Sequence, residues 1–128
     1  MPKIITDYMI EVSYDHAKMV YYNQMTIVDA LKEIEQLSGM RQSSAKDYIG
    51  NFADMMAGSA YTRTMNKKAT EYYLNGIKRD YGIEQLKLAV SSVSKHAKYY
   101  GALGNGQLRY VTDLAQRIGR EILMDENE

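Results

Sequence analysis

The chain has 128 residues, enough for one domain with its own core and without disulfide or metal staples. Its 16 Lys/Arg balance its 16 Asp/Glu, which excludes attraction of the whole surface to nucleic acid or membrane, and no apolar run nears the ~20 residues of a bilayer span. The absence of cysteine excludes disulfides, thiol catalysis and thiolate metal sites, and it suits a reducing, cytoplasmic setting, as does an N-terminus (Met1-Pro2-Lys3-Ile4-Ile5) with no hydrophobic signal core.

The first 23 residues carry two patterns. Tyr8, Ile10, Val12 and Tyr14 alternate as a strand does, with Met19-Val20-Tyr21-Tyr22 as its hairpin partner across Asp15-His16-Ala17-Lys18. Ile10, Tyr14, Ala17 and Tyr21 equally fit one face of a helix. β-Branched and aromatic content favours the hairpin, and the lack of Gly or Asn in its turn counts against it. Both readings stand.

From Thr26 onward the period is helical. Thr26 and Asp29 mark a helix start, Ile27, Ala30, Leu31, Ile34 and Leu37 form its stripe, and Gly39 ends it. Ser43 or Ser44 opens a second helix, with Ala45, Tyr48, Ile49, Phe52 and Met56 on one side and Gly58 as its stop. Asn66 caps a third, whose stripe is Ala69, Tyr73 and Ile77 and whose end is Gly82. Leu86, Val90, Val93, Ala97 and Tyr100 mark a fourth; Gly101–Gly106 is a flexible connection; Leu108, Val111, Ala115, Ile118 and Ile122 mark a fifth. The expected fold is therefore mainly α. A compact bundle of about five helices spans residues 24–124, preceded by a Tyr-rich extension (1–23) that is a β-hairpin or a sixth helix, and followed by a frayed acidic tail (125–128).

Charge is unevenly spread along the chain. Residues 41–120 hold 13 Lys/Arg against 6 Asp/Glu, and the remainder holds 3 against 10. The basic middle reads either as a nucleic-acid-facing surface or as charge that folding brings back under the acidic ends. The 12 tyrosines serve cores and contact surfaces alike, and the nine methionines are adaptable core filler.

Catalysis is not expected. The two histidines, His16 and His96, are far apart, no zinc-ligand spacing occurs, and neither a nucleophile elbow nor a phosphate-binding Walker loop is present. No cofactor or metal is implied. His96 reads as a structural histidine within its helix.

The most informative stretch runs from Arg41 to Lys68. Arg41, Ser43, Ser44 and Lys46 lie at one helix start, and Arg63, Asn66, Lys67 and Lys68 at the next. Helix N-termini combined with Arg and Lys are what phosphate contacts use, and Arg and Asn also read base edges. Two ordinary capped helices with solvated charges explain the same residues.

These residues also carry a resemblance. Arg41-x-Ser43-Ser44-Ala45-x-x-Tyr48, Tyr61-x-Arg63-Thr64-x-Asn66, Tyr73-Leu74-x-x-Ile77, Tyr81-Gly82-x-Glu84-x-Leu86 and His96-x-x-Tyr99-Tyr100 follow in order. In order and spacing they resemble the small helical domain that precedes HNH-nuclease modules in predicted restriction endonucleases, over roughly Thr26 to Ile122. The resemblance implies an accessory unit that engages DNA or organises the enzyme, with cutting left to a following metal-dependent nuclease. This sequence stops after the helical part and adds the 1–23 segment, so a relative of the accessory domain is implied and not an endonuclease.

Two functions follow. The first is a non-catalytic, DNA-binding module that contacts duplex DNA through Arg41, Ser43, Ser44, Lys46, Arg63, Asn66, Lys67 and Lys68. The second is a protein-interaction module, an inhibitor or regulator of a nuclease or defence system of the type mobile elements encode. It would bind its partner through Tyr8, Tyr14, Tyr21 and Tyr22 with an acidic face. A monomer or a homodimer suits either, and neither needs a membrane.

Overall fold

Thr6 starts the first helix. Its hydroxyl accepts from the Met9 N–H at 3.1 Å, while the Met9 sulfur receives the Thr6 N–H at 3.4 Å, a capping box that spares two backbone donors. The computed structural model describes residues 4–63, 65–102 and 109–126, and every element within them is an α-helix. In chain order these are α1 (Asp7–Tyr21), α2 (Ile27–Ser38), α3 (Gln42–Ala57), α4 (Lys67–Tyr81), α5 (Ile83–Ala102) and α6 (Arg109–Glu126). The choice between hairpin and helix at the N-terminus resolves to helix. Ile10, Ser13, Tyr14 and Ala17 are buried at helical spacing, and the expected turn Asp15–Lys18 is helix interior.

The chain divides into two compact units, Met1–Ala53 and Asp54–Glu128. The boundary expected after residue 23 falls in the α1–α2 turn, inside the first unit. There α1 packs against α2. Tyr14 has no exposed surface and meets the Phe52 ring edge-on, at 5.5 Å and 84°. Tyr21 meets the same ring at 5.7 Å. Two tyrosines thus converge on the chain's single phenylalanine. His16 is buried between α1 and α2. Its Nδ1–H donates to the Val12 carbonyl at 2.8 Å, and Nε2 faces a Glu33 carboxylate oxygen at 3.1 Å.

In the second unit α5 packs against both α4 and α6. The pairs Glu71–Arg117 (3.4 Å) and Lys78–Asp125 (3.6 Å) step in the same sense along α4 and α6, so these two helices run parallel. Their core comes from Ala69, Tyr73, Leu74 and Ile77 on α4, Leu86, Ala89 and Val93 on α5, and Leu114, Ala115, Ile118 and Ile122 on α6.

Several expected stripes are buried in full, as on α3 and α4; others are not. On α2 only Ala30 and Ile34 are buried, and Ile27 and Leu37 face solvent. On α5 the buried line is Leu86, Ala89, Ser92, Val93 and His96, with Val90 and Ala97 half-exposed. The face is turned because two polar side chains have backbone partners inside the unit. The α3 start is also shifted. Arg41 holds the capping position, its carbonyl accepting from Ala45 N–H at 2.9 Å, and Ser43 and Ser44 sit within the first turn. Of the expected connection Gly101–Gly106, Gly101 and Ala102 belong to α5 and the rest lies outside the described residues, as does Leu108. Asp125 and Glu126 continue α6.

Replacing Tyr14 with Ala removes a fully enclosed ring and its contact with Phe52. The expected cost to the first unit is about 3–5 kcal/mol, read by urea denaturation, against less than about 0.5 kcal/mol for Tyr8→Ala at an exposed position.

Candidate functional site

The connection between α3 and α4 is held from one side by α5. A helix ends with carbonyls that lack partners, and here the second unit supplies them from side chains. Gln85 Nε2 donates to the Met56 carbonyl at 2.5 Å, Lys95 Nζ to Gly58 at 2.7 Å, Ser92 Oγ to Ser59 at 2.5 Å, and His96 Nδ1–H to Tyr61 at 2.6 Å. The His96 ring also stacks on the Tyr61 ring, with centroids 4.2 Å apart and planes 16° from parallel. Gly58 has φ +72°, and a Cβ there would meet Leu88 Cδ2 at 3.0 Å, so a side chain at this position is both strained and crowded. The chain thus leaves α3 along a fixed course into the buried Tyr61 and Met65.

That course delivers the start of α4 to the surface. Asn66 caps the helix, its Oδ1 accepting from Ala69 N–H at 2.7 Å, and its carbonyl accepts from the Thr70 N–H and hydroxyl. Arg63, Asn66, Lys67 and Lys68 are all exposed. Four of the expected site residues therefore lie together around one helix N-terminus, where the helix dipole adds positive potential. Asn66 uses its carbonyl oxygen in the cap, which leaves its amide as a donor only.

The other four belong to the first unit. Arg41, Ser43 and Lys46 are exposed and Ser44 is half-buried, all at the start of α3, with Gln42 bonded to Glu35 at 3.1 Å. The eight residues are thus two clusters on two units. Of the expected protein-contact tyrosines, Tyr8, Tyr21 and Tyr22 are exposed, whereas Tyr14 lies in the core and offers no surface.

Grouping charges by unit changes the picture drawn from the linear sequence. Residues 1–53 hold 5 Lys/Arg and 7 Asp/Glu; residues 54–128 hold 11 and 9. The steep imbalance along the chain becomes −2 and +2. Part of the second unit's positive charge is also locally matched, including four of its eleven cations. Arg117 lies near Glu71 and Glu121, Lys78 near Asp125, Lys87 near Glu84, and Arg79 is bonded to Asp80. Beside the start of α4, a cavity of about 250 Å³ is lined by Lys67, Asp113, Leu114 and Arg117. Its mixed charge makes it no anion pocket.

Among the described residues no group of three His, Asp or Glu side chains is placed to hold a metal ion, and no helix is long and apolar enough to cross a membrane. The residues that the sequence did not single out are Gln85, Ser92 and Lys95. Their signal was present: with His96 they place polar groups at steps of seven, three and one on α5, beside its apolar line. Comparison with known protein families, curated proteins and solved structures finds no match to this chain.

Burial holds the His96 imidazole below its usual value near 6.5, partly opposed by its bond to the Tyr61 carbonyl. The unfolded chain then takes up a proton that the folded unit resists. Its stabilisation is complete above about pH 6.5 and erodes as pH falls below it, by at most about 1.4 kcal/mol per pH unit for this one group. Urea denaturation at pH 7.5 and 5.5 is expected to show this loss in the natural chain. His96→Gln, which keeps a donor for Tyr61 and does not titrate, is expected to remove that part of the loss.

Proposed function

We propose that the chain is a non-catalytic DNA-binding module that holds duplex DNA by its phosphates at the start of α4. The observation that carries this reading is the grouping of exposed Arg63, Lys67 and Lys68 around an Asn66-capped helix N-terminus. Backbone N–H groups at a helix start with cations close by in the chain suit a phosphate oxygen, and such contacts set affinity and register without reading sequence. Arg41 and Lys46 at the start of α3 provide a second, separate contact of the same kind. The resemblance to the helical domain preceding HNH nucleases supports a setting in DNA metabolism. With a net charge near +2 on the unit, the binding is modest in strength and governed by local contacts.

Fluorescence anisotropy with a labelled duplex, titrated between about 50 and 200 mM salt, tests this. Three phosphate contacts predict a slope of log K against log salt of about −2.7. Lys67→Glu with Lys68→Glu is expected to lower affinity at least about tenfold, while Arg79→Glu at the far end of α4 changes it little. No binding at micromolar protein in low salt overturns the proposal.

A further inference from the structure

The α1–α2 hairpin of the first unit ends in a knob of uncovered apolar side chains. Tyr22 is 48% exposed and Val28 57%, and their chain neighbours Tyr21 and Ile27 are 41% and 39% exposed. The two tyrosine rings meet edge-on at 5.0 Å, and Tyr21 is braced on Phe52, so the aromatic pair is held in one arrangement. Ile27 and Val28 directly follow the Thr26 cap, where solvent-facing first-turn positions more often carry polar residues. Asn23, with φ +59°, closes the turn between them. A braced aromatic pair and exposed aliphatic side chains at one hairpin end have the composition of a protein-contact centre.

The surrounding charge says what kind of partner fits. Asp7, Glu11 and Asp15 are exposed and four residues apart, so they line one face of α1 at intervals of about 6 Å as it runs toward the knob. Asp29 and Glu35 are exposed on α2; the bases of these two helices are exposed Lys32 and half-exposed Lys18, whose ammonium lies over the Tyr14 ring at 4.9 Å. An acidic flank around an apolar centre complements a positively charged partner and opposes a negatively charged one. We infer that the α1–α2 hairpin docks a basic amphipathic helix of another protein, its apolar face on Tyr22 and Val28 and its Lys or Arg side chains against Asp15 and Asp29. This surface lies on the first unit and does not depend on the DNA contact proposed for α4.

The test uses the full chain and three synthetic helical peptides of about 18 residues: one of Lys and Leu, one of Glu and Leu, and one of Lys and Ser. Calorimetry gives the affinities and amide chemical shifts give the location. The Lys/Leu peptide is expected to bind at least about tenfold more tightly than either control, with shifts concentrated in α1 and α2. Tyr22→Ser with Val28→Ser, and separately Asp15→Lys with Asp29→Lys, are each expected to weaken it at least about tenfold while helical circular dichroism is unchanged. The charge pair keeps the test decisive if the apolar pair disturbs folding. Equal binding of the Glu/Leu peptide, shifts centred outside α1 and α2, or no binding at millimolar peptide overturns the inference. So does a concentration-dependent dimer that Val28→Ser abolishes, which would make a second copy the occupant.

Discussion

The backbone carbonyls of Met56, Gly58, Ser59 and Tyr61 have to find donors where α3 stops, and α5 provides all four from Gln85, Lys95, Ser92 and His96. Each such bond contributes only about 1 kcal/mol net, but a buried carbonyl left without a partner costs about 1–3 kcal/mol. The arrangement therefore acts mainly by exclusion, since other courses for residues 58–61 strand polar atoms. Gly58 and the Tyr61–His96 stack restrict the same segment by shape. Because the Asn66 cap of α4 stands five residues after Tyr61, the position of Asn66, Lys67 and Lys68 follows from this contact between a helix and a connection.

That dependence links the core of the second unit to its surface chemistry. His96 stabilises the unit as a neutral donor, and its protonation buries a charge beside the segment that leads to the exposed cations. The surface is self-matched in part, with Glu71–Arg117 and Lys78–Asp125 tying α4 to the parallel α6. The start of α4 is a capped helix end with two exposed lysines in its first turn and Arg63 three residues before the cap. The first unit has a different character, with acidic residues exposed along α1 and an apolar hairpin end.

The six helices were largely legible because capping residues and glycines punctuate the chain. Thr26, Gly39, Asn66 and Gly82 stand at the positions their chemistry suggests. The first helix was ambiguous because β-branched and aromatic residues satisfy both periods; Thr6 and Met9 decided it, through a cap in which a methionine sulfur replaces the usual carboxylate or amide. Polar side chains on α5 were less legible, since a sequence does not reveal that Ser92 and His96 face backbone carbonyls some 35 residues earlier. The distribution of charge was less legible for a similar reason. A count along the chain joins residues 41–53 to the second half, whereas folding assigns them to the first unit with its acids. The Arg41–Lys46 and Arg63–Lys68 clusters, near in sequence, accordingly belong to different units.

Amide hydrogen exchange on the full chain tests the central dependence most directly. In a Ser92→Ala, Lys95→Met variant, protection of the amides in residues 59–70, Ala69 and Thr70 among them, is expected to fall about tenfold or more relative to the middle of α6 and to α1. Unchanged protection across 59–70, or an equal loss throughout the second unit, would contradict the account that α5 fixes the start of α4.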